Sequence, residues 1–132
     1  MRGRSGRSRS HGTHSDTISK VKYMLESWII LFLSIFCEVT GTSCLKLSDG
    51  FSKIIPTISV FVFYGLALWG LSVVVKKMDV SIAYAVWSGV GTATVAVIGI
   101  CLFGERATAV KMCSLLLIII GVVGLNYTSS GK

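Results

Sequence analysis

The sequence predicts an all-α membrane protein with four transmembrane helices per protomer, assembled as a dimeric bundle. Three observations predict it. The 132 residues are 52% apolar and 14% charged, against about 25% charge in an ordinary soluble domain. Mean hydropathy is +0.74. Four apolar stretches follow one another at residues 27–45, 55–75, 81–103 and 109–127. At ~1.5 Å per residue each stretch is about 30 Å long as a helix, the hydrocarbon thickness of a bilayer. Four such runs joined by short links fit neither the buried helices of a soluble protein nor a cleaved signal peptide.

Ahead of them, residues 1–23 are rich in Arg, Ser and Gly and nearly free of large apolar groups. They are expected to form a disordered basic tail, leaving 24–132 as the transmembrane domain. The tail reads foremost as a solvated extension from an upstream start, with Met24 as an alternative first residue. Contact with anionic lipid headgroups is a second reading. A transit peptide or a nucleic-acid arm ranks lower, because no aromatic side chains interleave the arginines. No nucleic-acid partner is expected. Of the net charge of +7, residues 1–27 carry +4, so much of the basic signal is this one segment.

The links are short and polar, with turn formers at Asp49-Gly50 and Gly104. Short links force neighbouring helices antiparallel, so both termini lie on one side. Without the tail, the termini side carries Lys76, Lys77 and Lys132, and the other side carries Lys46, Lys53, Arg106 and Lys111. That near balance instructs orientation weakly. The tail raises the count to nine against four, which places the termini in the cytoplasm. Trp28 and Tyr127 sit at segment ends, where amphipathic rings favour the interface.

Glu38 is the charged side chain that lies well inside a span. It stands eleven residues into the first stretch, about 16 Å deep at ~1.5 Å per residue. A charge at that depth costs at least ~2.5–3.5 kcal/mol on insertion scales. Lys46 reaches the headgroups by snorkelling and cannot neutralise it. Either Glu38 is a structural acid hydrogen-bonded to Thr42 or Ser34, or it exchanges a proton for a hydrophobic cation. One carboxylate that serves a proton or a cation, but not both, is the simplest physical basis for antiport.

Leu31, Ser34, Ile35, Glu38, Gly41, Thr42 and Leu45 share a helical stripe. The third stretch offers Tyr84, Trp87, Ser88 and Gly91 at helical spacing, and the second adds Tyr64 and Trp69. Aromatic faces attract organic cations, although the same rings also pack helices. Ser34, Thr42, Tyr64, Tyr84, Trp87 and Ser88 are therefore the candidate substrate chamber. Gly89 and Gly91 are candidate bend points of a gate, or a close helix crossing. Gly121 and Gly124 mark the fourth stretch as a packing or dimer helix. Four helices with one carboxylate are too few to enclose a path, so a second copy is expected.

Cys37, Cys44, Cys101 and Cys113 show no CxxC spacing and read as small buried hydrophobes. His11 and His14 alone do not make a metal site. With no Ser/His/Asp set, phosphate loop or ligand cluster, neither enzymatic activity nor a metal or other cofactor is expected.

Four motifs carry a family resemblance over about residues 24–128. They are Glu38-Val-Thr-Gly-Thr-Ser-Cys-Leu-Lys-Leu-Ser-Asp-Gly-Phe51, Ala83-Tyr-Ala-Val-Trp-Ser-Gly-Val-Gly91, Phe103-Gly-Glu-Arg106 and Gly121-Val-Val-Gly-Leu-Asn126. The chain resembles the small multidrug resistance family of bacterial proton-coupled exporters. That resemblance implies a multi-pass protein of the bacterial plasma (inner) membrane. It also implies an antiparallel homodimer, or a pair of unlike homologues, with alternating access. Glu38 falls on the shared proton and substrate site, Tyr64, Tyr84 and Trp87 on the binding chamber, and Gly121 on the dimer-contact helix. Gly41 stands where guanidinium exporters of the family usually place Trp, and Asn126 where they tend to carry Lys. The resemblance is therefore to the multidrug branch, which exports quaternary ammonium and lipophilic cations. Ser114 departs from a Gly often found in the fourth helix. A guanidinium or polyamine exporter, half of a heteromeric pair, and a non-transporting membrane subunit remain the alternatives.

Topology tests the charge reading. The full chain is expected to show both termini on the cytoplasmic side, and a chain lacking residues 1–23 to insert in both orientations. Identical single orientations by terminal accessibility mapping would remove the tail from the argument.

Overall fold

The computed structural model describes residues 13–129. It contains four α-helices in chain order: α1 Thr13–Leu47, α2 Ile54–Val74, α3 Val80–Phe103 and α4 Ala109–Ser129. No strand occurs among the described residues. All four helices are long and apolar enough to cross a membrane. The predicted stretches and the observed helices agree closely except at the start of α1.

There the helix begins fourteen residues before the apolar stretch, so residues 13–23, expected as unstructured tail, are helical. The rest of that expected tail, residues 1–12, lies outside the described residues, as do 130–132. The reason is local. No Pro or Gly interrupts 13–40, and a nucleated helix adds residues cheaply. Asp16 sits in the first turn and Lys46 in the last, both favourable to the helix dipole. A 35-residue helix is about 52 Å long at 1.5 Å per residue. Its first turns therefore project beyond a ~30 Å hydrocarbon layer. There Lys77 of the α2–α3 link approaches Glu26 at 3.8 Å and the Tyr23 ring at 5.8 Å.

Lipid cannot satisfy polar groups, so hydroxyls inside the spans bond to their own helix. Thr40 donates to the Phe36 carbonyl at 2.8 Å, Ser43 to Val39 at 2.9 Å and Thr94 to Val90 at 2.8 Å. Ser34 is different: its hydroxyl crosses to the Ala67 carbonyl at 2.5 Å and ties α1 to α2. Gly70 permits that approach, since a Cβ there would lie 3.1 Å from Ser34 Cβ.

The turns follow the sequence signals. Asp49, Gly50 and Phe51 all take positive φ, at 51°, 65° and 66°. The buried Ser48 hydroxyl holds this turn, donating to the Leu45 carbonyl at 2.7 Å and accepting the Phe51 N–H at 3.3 Å. Pro56 occupies the first turn of α2, where its missing N–H would be unpaired in any case. Gly104, at φ 65°, ends α3, and the Glu105 N–H returns to the Gly99 carbonyl at 3.0 Å. This return bond, reaching back six residues, gives the Gly99 carbonyl a partner at the helix end.

Leu31, Ile35 and Val39 of α1 meet Val74 of α2 and Ala83 and Val86 of α3 in the buried core. The α1 members are spaced at i, i+4 and i+8, one face of a helix. By contrast α4 packs against α3 alone among the described elements, and no residue of its membrane span is buried. The two helices pack closely at Gly89, where a Cβ would lie 2.6 Å from Val122 Cγ2.

Gly89→Ala is expected to force α4 away from α3 and to lower stability in detergent by about 1–3 kcal/mol, the usual cost of overpacking. Thermal unfolding of this variant and of Gly89→Ala with Val122→Ala provides the check; the second change should restore most of the loss.

Candidate functional site

Glu38 lies mid-way along the membrane part of α1 and is half-buried where α1 faces α2 and α3. Its Oε2 rests against the bare backbone of Gly91 on α3, where a Cβ would stand only 2.8 Å away. One turn on, the Thr42 hydroxyl lies 3.3 Å from Glu38 Oε1, 3.0 Å from the Glu38 carbonyl and 3.0 Å from the Tyr64 hydroxyl of α2. With Tyr64 as donor to Thr42 and Thr42 as donor to the carboxylate, the three groups form one chain of hydrogen bonds. Gly41 makes it possible, because a Cβ there would strike the Tyr64 ring at 2.7 Å. Among the described residues no Lys or Arg lies within ion-pairing distance of Glu38.

Two cavities open on this carboxylate. The larger, about 420 Å³, is lined by Glu38, Thr42, Trp87 and Ser88 and continues past Thr92, Val95 and Ala96 to Glu105 and Lys111. The smaller, about 180 Å³, lies between Glu38, Tyr64, Ala67, Leu68 and Trp87. Trp87 faces both. Its indole Nε1 is buried without a hydrogen-bond partner among the described residues, an unusual state for a buried donor.

The expected chamber residues thus divide. Thr42, Tyr64, Trp87 and Ser88 gather around Glu38. Ser34 does not: it is buried on the α1–α2 seam and spends its hydroxyl on Ala67. It lines a separate cavity with Trp69. Tyr84 lines neither Glu38 cavity; it is 57% exposed, with its ring 5.8 Å from Trp87. Gly89 and Gly91 sit in an uninterrupted helix and face different neighbours, Val122 of α4 and Glu38 of α1. Both serve close approach. Gly121 and Gly124 have open space around them. Among the described residues no His/Cys/Asp/Glu cluster could hold a metal.

Sequence reading missed the charged end of the larger cavity. Glu105 pairs with Lys46 at 2.6 Å and with Lys111 at 2.9 Å. Hydrogen bonds from Lys46 and then Lys111, with their charges, hold its carboxyl down at about 2. A depressed acid contributes fully above its ordinary value near 4.5, and its contribution is lost as pH falls through about 2. The signal available was topological: the links place all three residues at one membrane face.

The family model described as Small Multidrug Resistance protein matches residues 26–118. The chain belongs to the small multidrug resistance family. It is 47% identical over 100 residues to the uncharacterized membrane protein YvaE of Bacillus subtilis, covering 76% of this chain and 84% of the relative. It is 41% identical over 108 residues to the quaternary ammonium compound-resistance protein QacE of Escherichia coli, covering 82% and 98%. It is 43% identical over 102 residues to the nicotine metabolites export pump subunit NepA of Paenarthrobacter nicotinovorans, covering 77% and 88%. Like other small multidrug resistance proteins, it is a multi-pass protein of the bacterial inner membrane. The family match begins at Glu26, so the protruding first turns of α1 lie outside it.

The Gly91 notch generates a direct test. Gly91→Ala should push the Glu38 carboxylate aside and weaken detergent-phase binding of the probe cation tetraphenylphosphonium roughly tenfold, about 1.4 kcal/mol. Gly65→Ala, at a position with nothing within 4 Å, should leave binding unchanged.

Proposed function

We propose that this chain is a proton-coupled antiporter that exports quaternary ammonium and other lipophilic cations by alternating access in a dimer. One observation carries the reading: a mid-membrane carboxylate without a paired cation among the described residues opens on a 420 Å³ cavity that holds Trp87. Cavities of this size suit small organic ligands. The names of relatives such as QacE point to the same substrate class.

The chemistry follows from charge. An unneutralised Glu38 is costly in the membrane, so the protomers switch access when each carboxylate carries a proton or shares a bound cation. Mutual exclusion at the carboxylate then couples the two fluxes. Thr42 and Tyr64 orient the acid through their hydrogen-bond chain, and Trp87 offers its aromatic face to the cation. Ser88 lines the same chamber, and Tyr84, outside both Glu38 cavities, lies against the Trp87 ring from the α3 surface. A second protomer covers the unburied face of α4 around Gly121 and Gly124. It brings a second Glu38 to the site, where coupled titration of the pair favours two protons against one cation.

A second reading has its own support. NepA is named a pump subunit, so a paired homologue in place of a second copy is the alternative assembly.

In vesicles, the wild type should transport tetraphenylphosphonium against a proton gradient and Glu38→Gln should not. Addition of the cation to wild-type protein in detergent near neutral pH should release protons. Strong guanidinium flux with no tetraphenylphosphonium flux would overturn the substrate class, and undiminished flux in Glu38→Gln would overturn the mechanism.

A further inference from the structure

The larger Glu38 cavity ends at a second carboxylate. Glu105 and Lys111 line the same cavity as Glu38, separated from it along α3 by Thr92, Val95 and Ala96. Two features fix Glu105 there. Its N–H closes the α3 cap on the Gly99 carbonyl at 3.0 Å. Its carboxylate folds over the last turn of α3 into the space left by Gly99, where a Cβ would lie 2.7 Å from Oε2 and 2.8 Å from Cδ. The carboxylate then sits between two ammonium groups from different helices, Lys46 of α1 at 2.6 Å and Lys111 of α4 at 2.9 Å. Lys46 also lies 4.4 Å above the Phe103 ring.

All three charged side chains are partly exposed, and exposed ion pairs add little to stability. Their field acts within a Debye length of roughly 8–10 Å, which takes in the cavity mouth. Glu105 compensates one of the two lysine charges, and no other carboxylate lies within ion-pairing distance of either lysine among the described residues.

We propose that Glu105 determines charge selectivity at the link-side mouth of the Glu38 cavity: by neutralising Lys111, which lines it, and Lys46 beside it, Glu105 lets a positively charged substrate pass an entrance that would otherwise carry two uncompensated ammonium charges. The proposal rests on the reading of that cavity as the cation path. Glu105 acts on the approaching cation through the lysines it holds. Its removal slows entry without changing the equilibrium affinity at Glu38.

The mouth can be probed without relying on transport. In a full-length chain with its four cysteines replaced by alanine, Ala96→Cys places a thiol on the cavity wall. Its reaction rates with a trimethylammonium-ethyl methanethiosulfonate and with the anionic sulfonatoethyl reagent give a cation-to-anion ratio at low ionic strength. Glu105→Gln should lower that ratio roughly tenfold, the scale of electrostatic focusing in a charged cleft. Lys111→Gln added to Glu105→Gln should restore most of it. Lys46→Gln with Lys111→Gln and Glu105 intact should raise it, an opposite shift that misfolding would not produce. High salt should erase the differences. A ratio unmoved by Glu105→Gln, or lowered by the paired lysine changes, overturns the proposal. Tetraphenylphosphonium uptake is measured on the same variants with native Ala96: Glu105→Gln should slow initial uptake and leave equilibrium binding in place. A wild type that moves no tetraphenylphosphonium would defeat the proposed function, whereas the reagent ratio would still decide the role of Glu105.

Discussion

A bilayer offers no water to a buried polar group, and the structure is arranged around that constraint. Most hydroxyls inside the spans settle on carbonyls of their own helix, and Ser34 settles on Ala67 across a seam. Glu38 cannot be satisfied in this way. It receives one side-chain hydrogen bond, from Thr42, and lies against bare backbone at Gly91. The proposed antiport rests on that incomplete partnering, which leaves the carboxylate open to a proton or a cation.

Close packing supplies what the hydrophobic effect cannot between helices already in an apolar solvent. Gly41, Gly70, Gly89 and Gly91 each mark a place where a Cβ would lie 2.6 to 3.1 Å from a side chain of a neighbouring helix. Two of these contacts build the site directly, since Tyr64 and Glu38 occupy the space at Gly41 and Gly91. The Gly89 contact lies in the seam between α3 and α4. With a single neighbouring helix and no buried residue in its span, α4 presents most of its surface outward.

The two glutamates at opposite ends of one cavity behave differently because their surroundings differ. Glu105 stands outside the spans with two ammonium groups at hydrogen-bonding distance, and it stays ionised well below its ordinary range. Glu38 stands within α1 beside a hydroxyl and an indole-lined space. The same side chain is thus a paired charge beyond the end of α3 and an unpaired acid within α1.

The amino-acid sequence alone determined the four spans, their short links, the turns at Asp49-Gly50 and Gly104, and the isolation of Glu38 well inside a span. These follow from run length, turn chemistry and the cost of a charge in lipid, all of which act locally along the chain. Helix continuity back to Thr13 was local too, yet a polar composition concealed it, because solubility and helicity are separate properties. Only tertiary structure decided which small residues receive a neighbour, and so why Ser34 serves a seam while Thr42 serves the carboxylate. It likewise joined Lys46, Glu105 and Lys111, which come from three parts of the chain. Helical periodicity names a face, but the rotation and approach of each helix, set by packing, decide what that face meets.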